Sequence, residues 1–402
     1  MNLELYLTTN CQMDCSFCGA WYRSGETPHI PYEKACEILD AAARNGYRFL
    51  SLSGGEPFLH RDLAKITQYA AARGFFVSIF TNGLLIDKKR LDAFGSTAVN
   101  IRVSLHTLNR ERHARITGSD TLPRVLDAIQ QLRERAMYFS LATTVYDVNL
   151  QDIGGLADFA VENRAASIRF TPVFGLYHGD KIQLDEDFYV GLLREIVKSS
   201  IRHQEHLDYQ RKRQPNSFAA EYMKILATRR CSAGTHLYSG IDASFQVIPC
   251  PVIPSDDRLP SATYDSMEGI QAFNAAFQQL FDDPFVHQLE GRCADCPFKE
   301  VCKGGCLATK LASGRRPTDE QPICMLAITS HVMASFDPSE VAELLHYWQY
   351  RYEKVSAGTD GDKGCIRKYP IWQLDFRHHR MDAPATSYQR KGASNTRSRS
   401  EQ

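Results

Sequence analysis

The sequence predicts an α/β fold, a partial (β/α)6 TIM-like barrel followed by a small cysteine-rich domain. Three observations support this prediction. Short apolar runs alternate with helical stretches in the first half of the chain, polar and glycine-rich motifs directly follow several of these runs, and cysteines collect in two arrays. The chain has 402 residues, of which 43% are hydrophobic and 23% charged, so it can bury a large core and is long enough for two domains.

Six short runs rich in Val, Ile, Phe and Leu are the candidate strands. They are Leu3–Thr8, Arg48–Ser53, Phe75–Thr81, Asn100–Leu105, Tyr138–Val145 and Ser167–Val173. Stretches of mixed apolar and charged residues predict helices between them, such as Tyr32–Arg44, Asp62–Arg73, Leu122–Arg135 and Asp152–Asn163. Strands joined by crossover helices pair in parallel with right-handed connections, which gives an open six-stranded barrel. In such a barrel the chemistry lies at the carboxyl ends of the strands.

The loop after the first predicted strand contains three cysteines. Cys11, Cys15 and Cys18 form a C-x3-C-x2-C array, with Phe17 directly before the third. This spacing is too tight for most disulfide frameworks and supplies one thiolate fewer than a closed structural metal site needs. A 4Fe-4S cube held by three thiolates keeps one iron open to an exogenous ligand. A chance cluster or a zinc site is the alternative interpretation.

Short motifs also follow the later strands. They are Ser53-Gly54-Gly55-Glu56-Pro57, Thr81-Asn82-Gly83, Val103-Ser104-Leu105-His106 and, further on, Arg115-Ile116-Thr117-Gly118. Paired glycines allow the backbone to approach a ligand closely. Each motif alone is equally consistent with an ordinary turn, a serine that closes a strand or a surface arginine. Their order along the chain, each at a strand end, favours a common binding site.

The cysteine loop and these motifs together resemble the signature of the radical S-adenosylmethionine (SAM) enzymes. The resemblance implies that Cys11, Cys15 and Cys18 hold a catalytic 4Fe-4S cluster whose open iron chelates the amino and carboxylate groups of SAM. Reduction of that cluster would cleave the sulfonium to a 5'-deoxyadenosyl radical. The implied cofactor contacts are Gly54, Gly55 and Glu56 at the amino group, Ser104 and Arg115 at the ribose and carboxylate, Val173 at the adenine, and also Phe17 and Asn82.

A second cysteine array lies in the C-terminal half. Its members are Cys231, Cys250, Cys293, Cys296, Cys302, Cys306 and Cys324. A zinc ribbon would need a longer insert between its cysteine pairs, and one zinc ion would leave three of the seven thiols unused, so two iron-sulfur clusters are a better match. The run from Cys302 to Cys306 and the sequence Cys231-Ser232-Ala233-Gly234 resemble the SPASM domain of radical SAM enzymes. This implies one auxiliary cluster at Cys231, Cys250 and Cys306, and another at Cys293, Cys296, Cys302 and Cys324.

The chain departs from the SPASM pattern at two places. Phe245 stands where a glycine is usual, five residues before Cys250, and is expected to alter a hairpin there. Sulfatase-maturing members carry a further cysteine between the first two and an aspartate after the second, whereas Pro251 follows Cys250 here. Sulfatase maturation is therefore disfavoured, and the first auxiliary cluster is left with three thiolates and an open or other ligand, for which His236 is a candidate. Cys36 and Cys365 belong to neither array.

The resemblance covers about residues 1–330. The predicted boundaries are 1–175 for the radical SAM barrel, 176–230 for a helical linker, 231–330 for the SPASM domain, 331–382 for a helical C-terminal extension and 383–402 for a disordered tail. Lys+Arg and Asp+Glu both number 47, which indicates neither nucleic acid nor an anionic membrane as a partner. The chain shows no signal peptide and no apolar run long enough to span a bilayer, so a cytoplasmic location is predicted.

The resemblance implies a radical SAM oxidoreductase or maturase that receives electrons from a donor such as flavodoxin or ferredoxin. Oxidation of a peptide, by a cross-link or a dehydrogenation, is the first hypothesis. Because the sequence begins directly at the first strand, no leader-peptide-binding domain of the kind found on many peptide-modifying relatives is expected, which weakens the peptide hypothesis without excluding it. One alternative is a small-molecule enzyme that oxidises, epimerises or decarboxylates a sugar or nucleoside in antibiotic formation. The motifs around Ser104 and Arg115 also resemble the GTP cyclase of molybdenum-cofactor synthesis, and a non-catalytic iron-sulfur carrier or scaffold is a further alternative.

Overall fold

The structure is a computed structural model that describes residues 1–18, 28–173, 185–206, 238–250, 261–279, 288–296, 299, 304–341 and 372–375. The strands in these ranges are β1 Asn2–Tyr6, β2 Phe49–Ser53, β3 Phe76–Thr81, β4 Val99–Ser104, β5 Phe139–Val145, β6 Ser167–Pro172, β7 Tyr238–Ile241, β8 Val247–Ile248 and β9 Trp372–Asp375. The helices are α1 Tyr32–Arg44, α2 Leu63–Ala72, α3 Lys88–Asp92, α4 Arg110–Thr117, α5 Leu122–Glu134, α6 Ile153–Glu162, α7 Glu186–Arg202, α8 Met267–Gln279, α9 Leu307–Ala312 and α10 Met325–Met333.

Strands β1 to β6 form the predicted barrel. Each pairs in parallel with the next in chain order, and helices separate them along the chain, so the predicted fold class is confirmed. The register places Tyr6 opposite Ser53 and Ser104 opposite Ala142. The carboxyl ends of neighbouring strands therefore meet at one edge of the barrel, where the loops that carry the motifs begin.

The barrel strands have one apolar and one polar face. Buried leucines, isoleucines and valines, such as Leu5 and Ile101, pack with apolar residues of the surrounding helices, such as Ile38, in one core. The opposite face carries a polar row, in which Asn100 Nδ2 donates to Ser78 Oγ at 3.4 Å and Ser140 Oγ donates to Asn100 Oδ1 at 3.0 Å. Strands of parallel sheets are usually apolar on both faces, whereas these alternate. Because the apolar face packs against the helices, the polar face lines the inside of the barrel.

The sheet extends beyond the six predicted strands at both edges. Strand β7 pairs in parallel with β1, β8 pairs antiparallel with β7, and β9 pairs antiparallel with β6. The first two lie in the range predicted as the cysteine-rich domain. Strand β9 lies in the range predicted as a helical extension. Edge strands present unpaired backbone groups, and these short segments satisfy them at β1 and β6.

The hairpin of β7 and β8 contains Phe245, the residue that replaces a usual glycine. Phe245 adopts φ 62°, a left-handed conformation that favours glycine, and it packs partly buried against the core. Asp242 stabilises the turn, since its Oδ1 accepts hydrogen bonds from Ser244 N and Gln246 N, both at 2.8 Å. The turn thus keeps a backbone conformation suited to glycine although the side chain is aromatic.

Several predictions concern residues outside the described ranges, among them those on Cys231, His236, Pro251, Cys302 and Cys365 and on the tail 383–402. Among the helices that are described, none is long and apolar enough to cross a membrane.

Candidate active site

The cysteine loop follows β1 at the carboxyl edge of the barrel. Cys11, Cys15 and Cys18 are half-buried thiols on this one loop. The backbone turns tightly between the last two, since Cys18 N donates to Cys15 O at 3.0 Å. A donor set of three thiols on a single loop matches the requirement of a cube with one open iron.

The glycine motif after β2 packs directly against the cysteine loop. Gly55 N donates to Thr8 O and Glu56 N donates to Asn10 O, both at 2.7 Å. A Cβ added at Gly54 would overlap the carbonyl oxygen of Thr8, and one added at Gly55 would overlap that of Asn10. The glycines therefore allow the close approach of two backbones, and they fix where the cysteine loop starts.

Glu56 is fully buried and joins the ends of β2 and β3. Its Oε1 accepts hydrogen bonds from Phe58 N at 3.0 Å and Thr81 Oγ1 at 2.8 Å, and its Oε2 accepts one from Asn82 N at 2.8 Å. Burial raises the pKa of Glu56 to about 7, against the lowering effect of these three hydrogen bonds. The side chain is thus fixed by protein donors, and it places Asn82.

Asn82 connects the β3 end to the cysteine loop. Its Nδ2 lies 3.8 Å from Cys11 Sγ, in a hydrogen bond to sulfur. Its Oδ1 accepts hydrogen bonds from Leu84 N at 3.0 Å and from Gln12 Nε2 at 3.3 Å. The amide is therefore oriented so that its donor side faces the thiol. Hydrogen bonds to cysteine sulfur are among the interactions that set cluster potentials.

A small apolar cluster lies beside the cysteine loop. Ile116, Tyr146 and Val173 are buried in it, with Phe17 and Val148 packed against them. The structure thus brings Phe17 and Val173, both predicted from the resemblance to contact the cofactor, into one place. Ile116 and Tyr146 were not predicted to contribute, although Ile116 directly follows Arg115 in the recognised motif.

Contacts from α4 and the β5 end hold the other side of the cysteine loop. Ser16 N donates to Ile116 O at 2.8 Å, and the hydroxyls of Ser16 and Tyr146 lie 2.9 Å apart. Gly118 ends α4 in a left-handed conformation, where an added Cβ would lie 2.8 Å from Asp14 O. The cysteine loop is therefore held by loops from β2, β3 and β5 and by the end of α4.

His106 packs against Phe17 of the cysteine loop as a neutral side chain. Its ring packs edge-on to Phe17, with 4.8 Å between ring centroids, and its Nδ1 accepts a hydrogen bond from Thr144 N at 3.1 Å. Burial, with a smaller contribution from His113, lowers the pKa of His106 to about 3. The neutral ring therefore carries its proton on Nε2 near neutral pH.

Ser104 and Arg115 lie at the same edge of the barrel. Ser104 is the last residue of β4, half-buried and paired with Ala142. Arg115 is an exposed residue in the last turn of α4, close enough to Tyr146 for its charge to act on the phenol. Both positions are compatible with the predicted contacts to a bound cofactor, which stay predictions.

Residues 5–160 match the family described as the Radical SAM superfamily. The barrel is a radical SAM domain. The matched range begins in β1 and ends in α6, so it contains the cysteine loop, the glycine motif, Asn82, Ser104 and Arg115.

Similarity to known proteins extends over most of the chain. The AdoMet-dependent heme synthase of Methanosarcina barkeri is 25% identical over 350 residues, which cover 79% of this chain and 94% of that protein. The PqqA peptide cyclase of Ruegeria pomeroyi is 25% identical over 380 residues, which cover 90% of this chain and 93% of that protein. The crystal structure of Streptococcus suis SuiB bound to S-adenosylmethionine shares the fold, with a TM-score of 0.62, 17% identity, and coverage of 81% of this chain and 77% of SuiB.

The C-terminal cysteines of this radical SAM protein divide by burial. Cys250 and Cys306 are 4% and 6% exposed and belong to the main hydrophobic core. Cys293, Cys296 and Cys324 are half-buried. Cys250 and Cys306 belong to the first set that the SPASM resemblance implies and the other three to the second, and both sets stay predictions. In the ranges described above, no three His, Cys, Asp or Glu side chains converge as they would around a single metal ion. The thiolates of a cube, by contrast, each bind a different iron.

Proposed function

We propose that this protein is a radical SAM enzyme that oxidatively matures a peptide. The observation that carries the proposal is the cysteine loop, whose three thiols are held at the barrel edge beside the apolar cluster of Phe17, Ile116, Tyr146 and Val173. A reduced 4Fe-4S cluster with bound SAM supplies a 5'-deoxyadenosyl radical that abstracts a hydrogen atom from an unactivated C–H bond.

The residues of this chain have separate parts in that reaction. Cys11, Cys15 and Cys18 would hold the cluster, and the apolar cluster would receive the adenine of SAM. An amino group donates hydrogen bonds, so the backbone carbonyl oxygens of the Gly54–Glu56 loop are the atoms suited to receive it. Arg115, at the open edge of the site, has the charge to bind a carboxylate.

A peptide substrate is supported by the similarity to PqqA peptide cyclase, which extends over 90% of this chain. The polar interior of the barrel offers hydrogen-bonding side chains of the kind that a peptide backbone needs. The second candidate is a small-molecule substrate. It is supported by the similarity to the heme synthase of Methanosarcina barkeri, which has the same identity.

The proposal includes two auxiliary iron-sulfur clusters that accept the electron left on the oxidised substrate. Cys231, Cys250 and Cys306 would hold the first, with His236 as a candidate further ligand. Cys293, Cys296, Cys302 and Cys324 would hold the second. The burial of Cys250 and Cys306 suits a cluster shielded from solvent, and the partial exposure of the second set suits transfer to an external acceptor. An electron donor such as flavodoxin or ferredoxin and a cytoplasmic location complete the proposal.

The test is anaerobic reconstitution followed by a count of iron and sulfide and an assay of SAM cleavage under strong reduction. Cys15→Ala removes one of three thiolates of the catalytic cluster, so we expect no 5'-deoxyadenosine above background. Cys36→Ala, at a half-buried thiol in α1 outside both arrays, is the matched control and should cleave SAM like the wild type.

Three results would contradict parts of the proposal. SAM cleavage at the wild-type rate by Cys15→Ala would exclude the assigned catalytic site. Clusters without SAM cleavage in the wild type would indicate an iron-sulfur carrier. Assays with candidate peptides, tetrapyrroles and nucleosides separate the peptide hypothesis from the small-molecule one, because only the true substrate should consume SAM in proportion to product.

A further inference from the structure

The imidazole of His106 is held in place at the carboxyl edge of the barrel. The residue is 5% exposed. Its Nδ1 accepts a hydrogen bond from Thr144 N at 3.1 Å, and its ring packs edge-on to Phe17 of the cysteine loop. The buried amide of Asn149 donates to His106 O at 2.8 Å and to Thr144 O at 2.9 Å. His106 is therefore fixed at its backbone and at its ring, in contact with β5 and with the cysteine loop.

The hydrogen bond to Nδ1 decides which nitrogen of the ring carries the proton. A backbone N–H can only donate, so Nδ1 of His106 is an acceptor and the proton of the neutral ring is on Nε2. The Nε2–H points away from Thr144, because Cε1 separates the two nitrogens. Among the residues that the structure describes, none accepts a hydrogen bond from this N–H. Buried N–H groups are nearly always paired, so this donor is suited to a ligand.

The neighbours of His106 belong to the cofactor side of the site. Phe17 packs in the apolar cluster that is proposed to receive the adenine. Ser104, which the resemblance implies to contact the ribose, precedes His106 by two positions. Leu105 N donates to Ala142 O at 2.9 Å, so the pairing of β4 with β5 continues past the end of the strand. In extended backbone, residues two apart face the same side, which places His106 on the face of Ser104.

We propose that the Nε2–H of His106 donates a hydrogen bond to the adenosyl group of bound SAM. Ribose oxygens and adenine ring nitrogens are acceptors, and a neutral imidazole offers them a donor without a second positive charge beside the sulfonium. Burial lowers the pKa of His106 to about 3, so the ring stays neutral near neutral pH. A donor that is fixed before the ligand arrives costs little entropy on binding. The inference rests on the proposed function, because it requires that the barrel binds SAM.

Two amide variants separate the two nitrogens of the ring. His106→Asn keeps an oxygen near the position of Nδ1, which can still accept from Thr144 N, and has no donor near the position of Nε2. His106→Gln keeps an amide N–H near the position of Nε2 and has no acceptor near that of Nδ1. His203→Asn is the remote control, since the ring of His203 lies directly after α7 and pairs with Asp158 at 2.6 Å.

The experiment measures binding of radiolabelled SAM and of 5'-deoxyadenosine to the reconstituted full chain by anaerobic equilibrium dialysis. We expect His106→Asn to bind both ligands roughly tenfold more weakly, which corresponds to the loss of one hydrogen bond. His106→Gln should bind both like the wild type, although it should unfold at lower temperature because Thr144 N loses its acceptor. His203→Asn should leave both dissociation constants unchanged.

Four results would contradict the inference or its basis. Unchanged SAM affinity in His106→Asn, with wild-type iron content, would overturn the role of His106 and leave the proposed function intact. Equal losses in His106→Asn and His106→Gln would show that the ring only supports the fold. A loss for SAM without a loss for 5'-deoxyadenosine would place the hydrogen bond outside the adenosyl group. Failure of the wild-type chain to bind SAM would instead overturn the proposed function.

Discussion

Glu56 shows how a buried side chain can support the site through other protein groups. The sequence predicts a cofactor contact at Glu56, and both carboxylate oxygens accept hydrogen bonds from protein donors at the ends of β2 and β3. One of these donors is the backbone of Asn82, whose side chain reaches Cys11 Sγ. Glu56 therefore acts on Cys11 through the position of Asn82.

At about pH 4.5 and below, Glu56→Gln should destabilise the reconstituted protein by about 1–3 kcal/mol, because an amide NH2 would face a backbone or hydroxyl donor in a buried site. Burial raises the pKa of Glu56 from 4.5 to about 7, so between these pH values the folded state holds a proton that the unfolded chain releases. The unfolding free energy of the wild type relative to Glu56→Gln is therefore constant below about pH 4.5, falls as the pH rises to about 7 and is constant again above it. Urea unfolding of the wild type and of Glu56→Gln across this pH range measures the difference in their unfolding free energies.

Glu37→Gln is the control, since Glu37 is exposed on α1 and pairs with Lys34 at the surface. It should change stability little at any pH. Equal unfolding free energies for Glu56→Gln and the wild type at every pH would show that the buried hydrogen bonds of Glu56 do not support the site.

The residues of the site were predictable to the extent that short motifs carry them. Phe17 and Val173 were predicted as cofactor contacts from the resemblance, and the structure places both in one apolar cluster. Tyr146 and His106 reach the cysteine loop only through the tertiary arrangement of β4 and β5. The surroundings of Tyr146 carry no pattern that separates it from an ordinary buried residue, and His106, although it closes the motif after β4, was given no role there.

At the level of elements, the loops after β1 and β2 form one unit. The two backbones exchange hydrogen bonds between Gly55 and Thr8 and between Glu56 and Asn10. The two backbones lie so close that a side chain at Gly54 or Gly55 would overlap the carbonyl oxygen of Thr8 or Asn10. The position of the cysteine loop therefore depends on the absence of a Cβ in the neighbouring loop.

Gly55→Ala should displace the cysteine loop, because the new Cβ would overlap the carbonyl oxygen of Asn10. We expect the variant to lose the iron of the N-terminal cluster and SAM cleavage, and to keep the iron of the auxiliary clusters. Gly155→Ala is the matched control. Gly155 lies in α6 with open space at its Cβ position, so alanine should stabilise the helix by roughly 0.5–1 kcal/mol. Full iron content in Gly55→Ala would contradict the steric argument.

The elements that were predicted well are those with strong local patterns. Helix α1 was predicted with the bounds that the structure shows, and the six barrel strands were each found within a residue or two. Strands β7, β8 and β9 are only two to four residues long, and what defines them is pairing with β1, with each other and with β6. A segment of two to four residues is too short to show the alternation of a strand in its sequence. Its strand conformation depends on pairing with the exposed edge of the sheet.

At the scale of the whole molecule, chain segments far apart in sequence complete the barrel sheet. Strand β7 covers one edge of the six-stranded barrel and β9 covers the other. The same region of the chain that supplies β7 and β8 also carries Cys250, which is buried in the main core. The proposed first auxiliary cluster is therefore attached to the barrel through the sheet itself.

The last prediction concerns β9 and compares two shortened chains. A chain that ends at residue 371 lacks β9, so β6 becomes an exposed edge and loses several backbone hydrogen bonds worth about 1 kcal/mol each. A chain that ends at residue 382 keeps β9 and removes only the segment predicted to be disordered. We expect the shorter chain to unfold at lower temperature and to aggregate, and the longer one to match the full chain in thermal unfolding and in iron content. If both shortened chains unfold alike, the pairing of β9 with β6 does not stabilise the barrel.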